Sequence, residues 1–247
     1  MRKHKKLLAA LLIIVCVIAA GVGGVMLYAS DAYMADDAAR AALLSTQNVI
    51  VQDTADGYAF LPAQAEAGFI FYPGGKVEAA AYAPLMHALA DRGVLCVLVE
   101  MPLNLAVLDV NAADGVAQQY PQVSRWYIGG HSLGGAMAAS YAADHAEGLQ
   151  GVALLAAYAT RPLPDSLAVV TLCGTADQVL DWQKYHANRV NLPQDALEIE
   201  IPGGNHAQFG SYGHQEGDGM AAITPQEQLN VAVDALLELM LVAEEPE

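Results

Sequence analysis

Gly130-His131-Ser132-Leu133-Gly134 sets a serine between two glycines in the pattern G-x-S-x-G. A serine hydroxyl is a weak nucleophile near neutral pH and needs a general base beside it. Alone, the five-residue pattern is weak. Its setting strengthens it, because an apolar run at 126–129 precedes it and a stretch rich in small residues, 133–145, follows. Strand, tight turn and helix in that order make a nucleophile elbow, which exposes the Ser132 hydroxyl. Gly130 and Gly134 give such a turn room, and Gly135, Ala136, Ala138 and Ala139 let the helix lie close to the sheet. A glycine-rich turn with a helix-capping serine is the plainer reading of the same residues.

The base expected for Ser132 is His206, in Pro202-Gly203-Gly204-Asn205-His206, just past a short apolar run. An imidazole base needs an acid that orients it and stabilises its charged form. Asp177 fits, in Gly174-Thr175-Ala176-Asp177 after another apolar run. Asp181 is close enough in sequence to replace Asp177, and His214 to replace His206. His131 neighbours the serine but should point elsewhere from a tight turn and pack locally. An attacked carbonyl becomes an oxyanion, which needs donors placed in advance. The Leu133 N–H, next after the nucleophile, is one. The loop Pro73-Gly74-Gly75-Lys76 supplies the other, Gly75 first and Lys76 second. These glycines also simply turn the chain.

The elements that position these residues alternate between strand and helix. Two short apolar runs, 48–52 and 58–61, flank Asp56-Gly57, a hairpin signal. Further strands are expected at 68–72, 94–99, 126–129, 152–156, 169–173 and 197–201. Helices are expected at 78–92, with Tyr82, Leu85, Met86 and Leu89 on one face, and at 133–145. Thr224-Pro225-Gln226-Glu227 opens a final helix with a capping signature. Continuous apolar strands separated by helices predict an α/β fold, a mostly parallel sheet covered on both faces. Ligands gather at the carboxyl ends of strands in such sheets, where all three chemical residues fall. The stretch from 156 to 169 is too short for a cap domain.

The chain has 247 residues, 55% hydrophobic and 15% charged, with a net charge of -16. This excludes a disordered chain, and the acidic balance argues against nucleic-acid binding. Arg2, Lys3, Lys5 and Lys6 form a basic tip over 1–6, and 7–29 holds no charged side chain. That run is long enough to cross about 30 Å of hydrocarbon at about 1.5 Å per residue. Basic residues before it, and Asp31, Asp36 and Asp37 after it, place the N-terminus in the cytoplasm and the rest outside. The expectation is a signal anchor at 7–29, a juxtamembrane linker with a short helix at 30–45, and a catalytic domain at 46–247. A cleaved signal peptide is the competing reading, although the run is long for one and Ser30-Asp31-Ala32 is a poor cleavage site. A lipoprotein site at Cys16 is disfavoured by the bulk of Val15. Beyond the tip, seven basic residues stand against 27 acidic ones, a net -20. Such a body favours neutral or cationic ligands.

Four stretches, FYPGGKVEAAAYAPL, GGHSLGGAMAA, LCGTADQVL and GGNHAQFGSYGHQEGDG, resemble an α/β-hydrolase-fold family. Together they resemble a bacterial branch of small, lidless, often membrane-anchored hydrolases near the dienelactone-hydrolase-like group. The resemblance covers about residue 48 to the last helix. It implies a Ser132–Asp177–His206 triad and a carboxylic-ester-type hydrolase, but no particular substrate; the chemistry expected of such a triad, on a small-molecule ester-like substrate, needs no cofactor. Dienelactone hydrolases proper use a cysteine nucleophile where Ser132 stands, so their substrate is not carried over. The strand order implied by the fold puts three strands between those of Cys96 and Cys173. At about 4.8 Å per step they lie about 19 Å apart, too far for a disulfide, so both are expected as buried free thiols. His206, His214 and Asp218 in the polar loop 203–219 match no metal-ligand spacing.

The function expected is therefore an extracytoplasmic, membrane-tethered serine hydrolase with an acyl-enzyme intermediate. An acyltransferase with the same triad, and a non-catalytic binding module on the same fold, are the alternatives.

Overall fold

The computed structural model describes residues 2–241. Met1 and residues 242–247 of the expected domain lie outside it, as do the side chains at 2–11, 18, 22 and 28. Two units result, Met1–Ala32 and Tyr33–Glu247. In the first, helix α1 runs Arg2–Ser30. The expected span 7–29 falls partly on side chains outside the description. Among the described residues, no helix is long and apolar enough to cross a membrane.

The second unit begins at Tyr33, inside the stretch read from sequence as a linker. Asp36 caps helix α2 (Asp37–Ala42) by accepting from the Ala39 N–H at 2.9 Å. Buried Ala35 and Ala39 join the main core. Tyr33 forms a parallel bridge with Val77.

Eight strands follow: β1 (Val49–Thr54), β2 (Gly57–Pro62), β3 (Ala67–Tyr72), β4 (Val94–Val99), β5 (Trp126–His131), β6 (Gly151–Leu155), β7 (Ala168–Gly174) and β8 (Leu197–Ile201). They form one sheet in the order β1-β2-β4-β3-β5-β6-β7-β8. Only β2 runs against the others. The hairpin at the start pairs Thr54 with Gly57, so Ala55 and Asp56 make the turn. Gly57 is instead the first strand residue, where φ is +134° and an added Cβ would meet the β4 backbone.

The central strands are buried along their whole length because both faces are covered. Phe69, Phe71, Cys96 and Tyr127 pack toward α3 (Ala83–Ala90) and α7 (Pro225–Leu241). Ile70, Tyr72, Val97 and Ile128 face α5 (Leu133–Asp144). Two-residue alternation on a doubly covered sheet sends neighbouring side chains to opposite cores. Smaller helices α4 (Val116–Gln119) and α6 (Trp182–Ala187) lie in the connections. The β6–β7 connection holds no helix among the described residues.

One expected helix is divided. Residues 79–82 form a 3₁₀ turn, and α3 starts anew at Ala83. Pro84 has no N–H to give Ala80, so a continuous helix loses a bond there, whereas proline suits a first turn. The division seats Tyr82 at the junction, fully buried. The start of α7 is as read: Thr224 Oγ1 accepts from the Glu227 N–H at 3.2 Å, and Glu227 accepts from the Thr224 N–H at 2.7 Å. Cys96 and Cys173 are buried on β4 and β7, with β3, β5 and β6 between them.

Candidate active site

Strand β5 extends two residues further than expected and delivers the chain to Ser132. Ser132 has φ 53° and ψ −121°, the angles of the first central residue of a type II′ turn, a glycine position. Such strain costs about 1–3 kcal/mol and persists only where surroundings impose it. Here the Ser132 N–H is held by Leu155 O at 2.9 Å, and Ser132 O accepts from the Ala136 N–H at 3.1 Å. Gly130 admits the turn, since its Cβ would stand 2.5 Å from Tyr72 O. The Ser132 side chain caps nothing. That removes the capping-serine reading and leaves a half-buried hydroxyl at the helix entrance.

His206 and Asp177 meet. His206 Nδ1 lies 2.8 Å from Asp177 Oδ2, with both side chains almost wholly buried (2% and 0% exposed). A carboxylate only accepts, so Nδ1 carries the proton and Nε2 keeps its lone pair. Asp177 Oδ1 accepts from the Val179 and Leu180 N–H groups, each at 2.8 Å. The Trp182 indole donates to Asp177 O at 2.9 Å. Each oxygen of the carboxylate is thus assigned, and its plane is fixed.

The loop carrying His206 is tied down from two sides. Gln228 of α7, fully buried, accepts from the Asn205 N–H at 3.0 Å and donates to Asn205 O at 2.8 Å. Asp218 accepts from the Ala207 N–H at 2.9 Å and the Gln178 N–H at 3.3 Å. One buried carboxylate therefore bridges the residue after His206 to the residue after Asp177. From sequence, Asp218 is one polar residue of the loop 203–219 and a metal-ligand candidate without a matching spacing. Nothing in the sequence marks its role, which arises from folding of the long loop over the sheet edge.

The rivals fall elsewhere. Asp181 is exposed and caps α6 through the Lys184 N–H at 3.0 Å. His214 is exposed in the loop. His131 is buried as expected, yet it is also part of the site. Its ring centre lies 4.4 Å from that of His206, and Nδ1 lies 2.7 Å from Tyr82 Oη. Burial, and then the neighbouring His206, push its pKa well below the ordinary histidine value. The nearby His206 main chain acts slightly the other way. His131 Nε2 makes no well-aligned hydrogen bond among the described residues, and burial dominates.

In the loop after β3, the Gly74 N–H donates to Tyr82 Oη at 3.0 Å and the Val77 N–H to Gly74 O at 3.2 Å. The Lys76 N–H donates to Asn104 O at 2.8 Å. The Gly75 N–H donates to no group among the described residues, and neither does the Leu133 N–H. The two residues touch, since a Cβ on Gly75 would stand 3.0 Å from Leu133 Cδ2. Lys76, the second choice from sequence, has its amide occupied. Ser132 Oγ makes no hydrogen bond among the described residues.

A sheet of this order, a strained serine at the end of β5 and a buried Asp–His pair after β7 and β8 define a hydrolase of the α/β class. The alpha/beta hydrolase family matches residues 68–230, more than half of the chain, and the chain belongs to it. No curated protein matches it. Solved structures with the same fold include esterase 2 of Thermogutta terrifontis phosphoramylated by tabun, at TM-score 0.56 and 16% identity. That match covers 82% of this chain and 98% of the esterase. A dienelactone hydrolase from Anabaena variabilis matches at TM-score 0.55 and 14% identity, over 79% of this chain and 98% of its own. A predicted CIB-like hydrolase from Thermoplasma acidophilum matches at 0.52 and 13%, over 78% and 100%. At these identities the likeness concerns the fold.

Proposed function

We propose that the chain is a serine hydrolase of carboxylic-ester-like substrates, with Ser132, His206 and Asp177 as its triad. The observation that carries the reading is the buried His206–Asp177 pair, with the His206 ring 4.4 Å from that of His131, the residue before the strained Ser132. His206 Nε2 takes the Ser132 proton as Oγ attacks the carbonyl carbon. It then gives that proton to the leaving alcohol, and an acyl-enzyme remains. Water attacks the acyl carbon, His206 again receives the proton, and it returns it to Ser132 as the acid departs. The Gly75 and Leu133 N–H groups, both without partners among the described residues, hold the developing oxyanion. The missing Ser132–His206 hydrogen bond fits a resting state, because such contacts often close only with substrate bound.

The substrate is a small or mid-sized ester. Leu103, Val107 and Leu108 are exposed in the segment whose Asn104 holds the oxyanion loop. They offer an apolar surface to its acyl or alcohol part. We further propose that residues 7–29 anchor the chain, with the N-terminus cytoplasmic and the hydrolase body outside. The uncharged run and the basic residues before it support this.

A fluorophosphonate probe tests the chemistry: wild type should label and Ser132→Ala should not. Equal labelling refutes the nucleophile, and no labelling of either favours a binding module. Ester hydrolysis with and without an added alcohol acceptor separates hydrolase from acyltransferase.

A further inference from the structure

We propose that Tyr82 and His131 are positioning residues that determine which amide of the 74–77 loop remains free and that seat the ring of His206. The proposal rests on the hydrolase reading for its kinetic part only. Tyr82 Oη accepts from the Gly74 N–H, so its own proton needs another acceptor. Its buried partner is His131 Nδ1, at 2.7 Å. Tyr82 therefore donates to Nδ1, and the His131 proton sits on Nε2. The opposite tautomer would leave two groups unpaired, the tyrosine proton and the Nε2 lone pair.

With Tyr82 oriented this way, the Gly74 amide is consumed. Asn104 consumes that of Lys76, and Gly74 O that of Val77. Only the Gly75 amide is left for an oxyanion. The loop lies so close to the pair that a Cβ on Gly74 would stand 2.7 Å from Tyr82 Oη and 2.8 Å from His131 Nδ1. His131 meanwhile lies against the ring of His206. The same side chain thus touches the base and, through one hydroxyl, the oxyanion loop.

Stability alone does not account for a histidine here. It is 1% exposed, and its Nε2 makes no well-aligned hydrogen bond among the described residues. A buried donor without a hydrogen bond is destabilising, which an apolar side chain would avoid. An acceptor at the Nδ1 position is what the histidine supplies and an apolar residue does not.

The experiment uses the full chain in detergent with ¹⁵N-labelled histidine rings. His131→Asn assigns the His131 signals by their loss. The Nε2–H tautomer is expected at His131, and an Nδ1–H tautomer overturns the proposal. Turnover of p-nitrophenyl acetate is then compared. Tyr82→Phe and His131→Leu should lower kcat by about 10–100-fold, somewhat less than outright loss of an oxyanion donor, with KM changed less than about threefold. His131→Asn sets Oδ1 near the position of Nδ1 and should recover kcat to within about fivefold of wild type. Wild-type kcat in Tyr82→Phe, or His131→Asn as slow as His131→Leu, overturns the proposal. Should His131→Leu fail to fold, Tyr82→Phe and the tautomer decide. If wild type shows no Ser132-dependent turnover, the hydrolase reading fails. The tautomer and the exchange protection of the Gly74 amide then judge the pair by themselves.

Discussion

Ser132→Gly should make the protein more stable while abolishing its activity. At φ 53° and ψ −121°, Ser132 occupies backbone space that glycine enters freely and serine does not. The strain is about 1–3 kcal/mol. Glycine returns part of this through the unfolded chain, whose greater freedom costs about 0.4–1 kcal/mol. The Ser132 side chain caps no helix, so no cap is lost. The net gain is about 0.5–2 kcal/mol. For a body of this size each kcal/mol moves Tm by about 2–4 °C, so a rise of about 1–8 °C is expected. Ser132→Ala is the control, because it removes the hydroxyl and keeps the strained backbone. Differential scanning calorimetry of wild type and both variants reads the effect. A Ser132→Gly protein no more stable than Ser132→Ala refutes the argument that the elbow stores strain.

Asp177→Asn should keep the fold and cost about 10⁴-fold in kcat, because an amide nitrogen facing Nδ1 favours the wrong tautomer of His206. Steady-state kinetics beside a melting curve checks it. His131 should make the protein acid-sensitive. Its folded pKa is depressed, so below about pH 6.5 the unfolded chain binds a proton that the folded chain refuses. Stability then falls with decreasing pH, by up to about 1.4 kcal/mol per unit, and urea titrations of His131→Asn should show a shallower acid limb than wild type. Cys96 and Cys173 should resist thiol reagents at pH 8 until the protein unfolds. Burial raises both thiols, Cys173 to about 12, and thiolate is the reactive form. Rapid labelling of either in native protein would contradict their burial.

The strands were legible because a sheet covered on both faces leaves unbroken apolar runs, such as VLCVLV at β4. The elbow was legible because its glycines are steric necessities. Asp177 and His206 were legible from where they stand after strands, and the two side chains meet at 2.8 Å. The rest depended on distance in three dimensions. Asp218 and Gln228 look like ordinary polar residues until the loop closes over the sheet. The helix expected at 78–92 was read through Pro84, because its apolar face outweighed one missing N–H in the pattern. The 3₁₀ turn that results is what brings Tyr82 to Gly74.

The bridge at Tyr33 bears on how far the N-terminus can be trimmed. The Tyr33 N–H donates to Lys76 O at 2.7 Å, and the Glu78 N–H donates to Tyr33 O at 2.9 Å. The Ala35 N–H donates to the Glu78 carboxylate at 2.8 Å. Residues 33–35 are thus a short splint on the segment 76–78, which follows Gly75. A protease cut after Ala32 releases a body with its splint in place. A cut at residue 45, the edge of the catalytic domain expected from sequence, removes the splint and α2 together. A trimmed body that keeps this support should therefore begin no later than Tyr33.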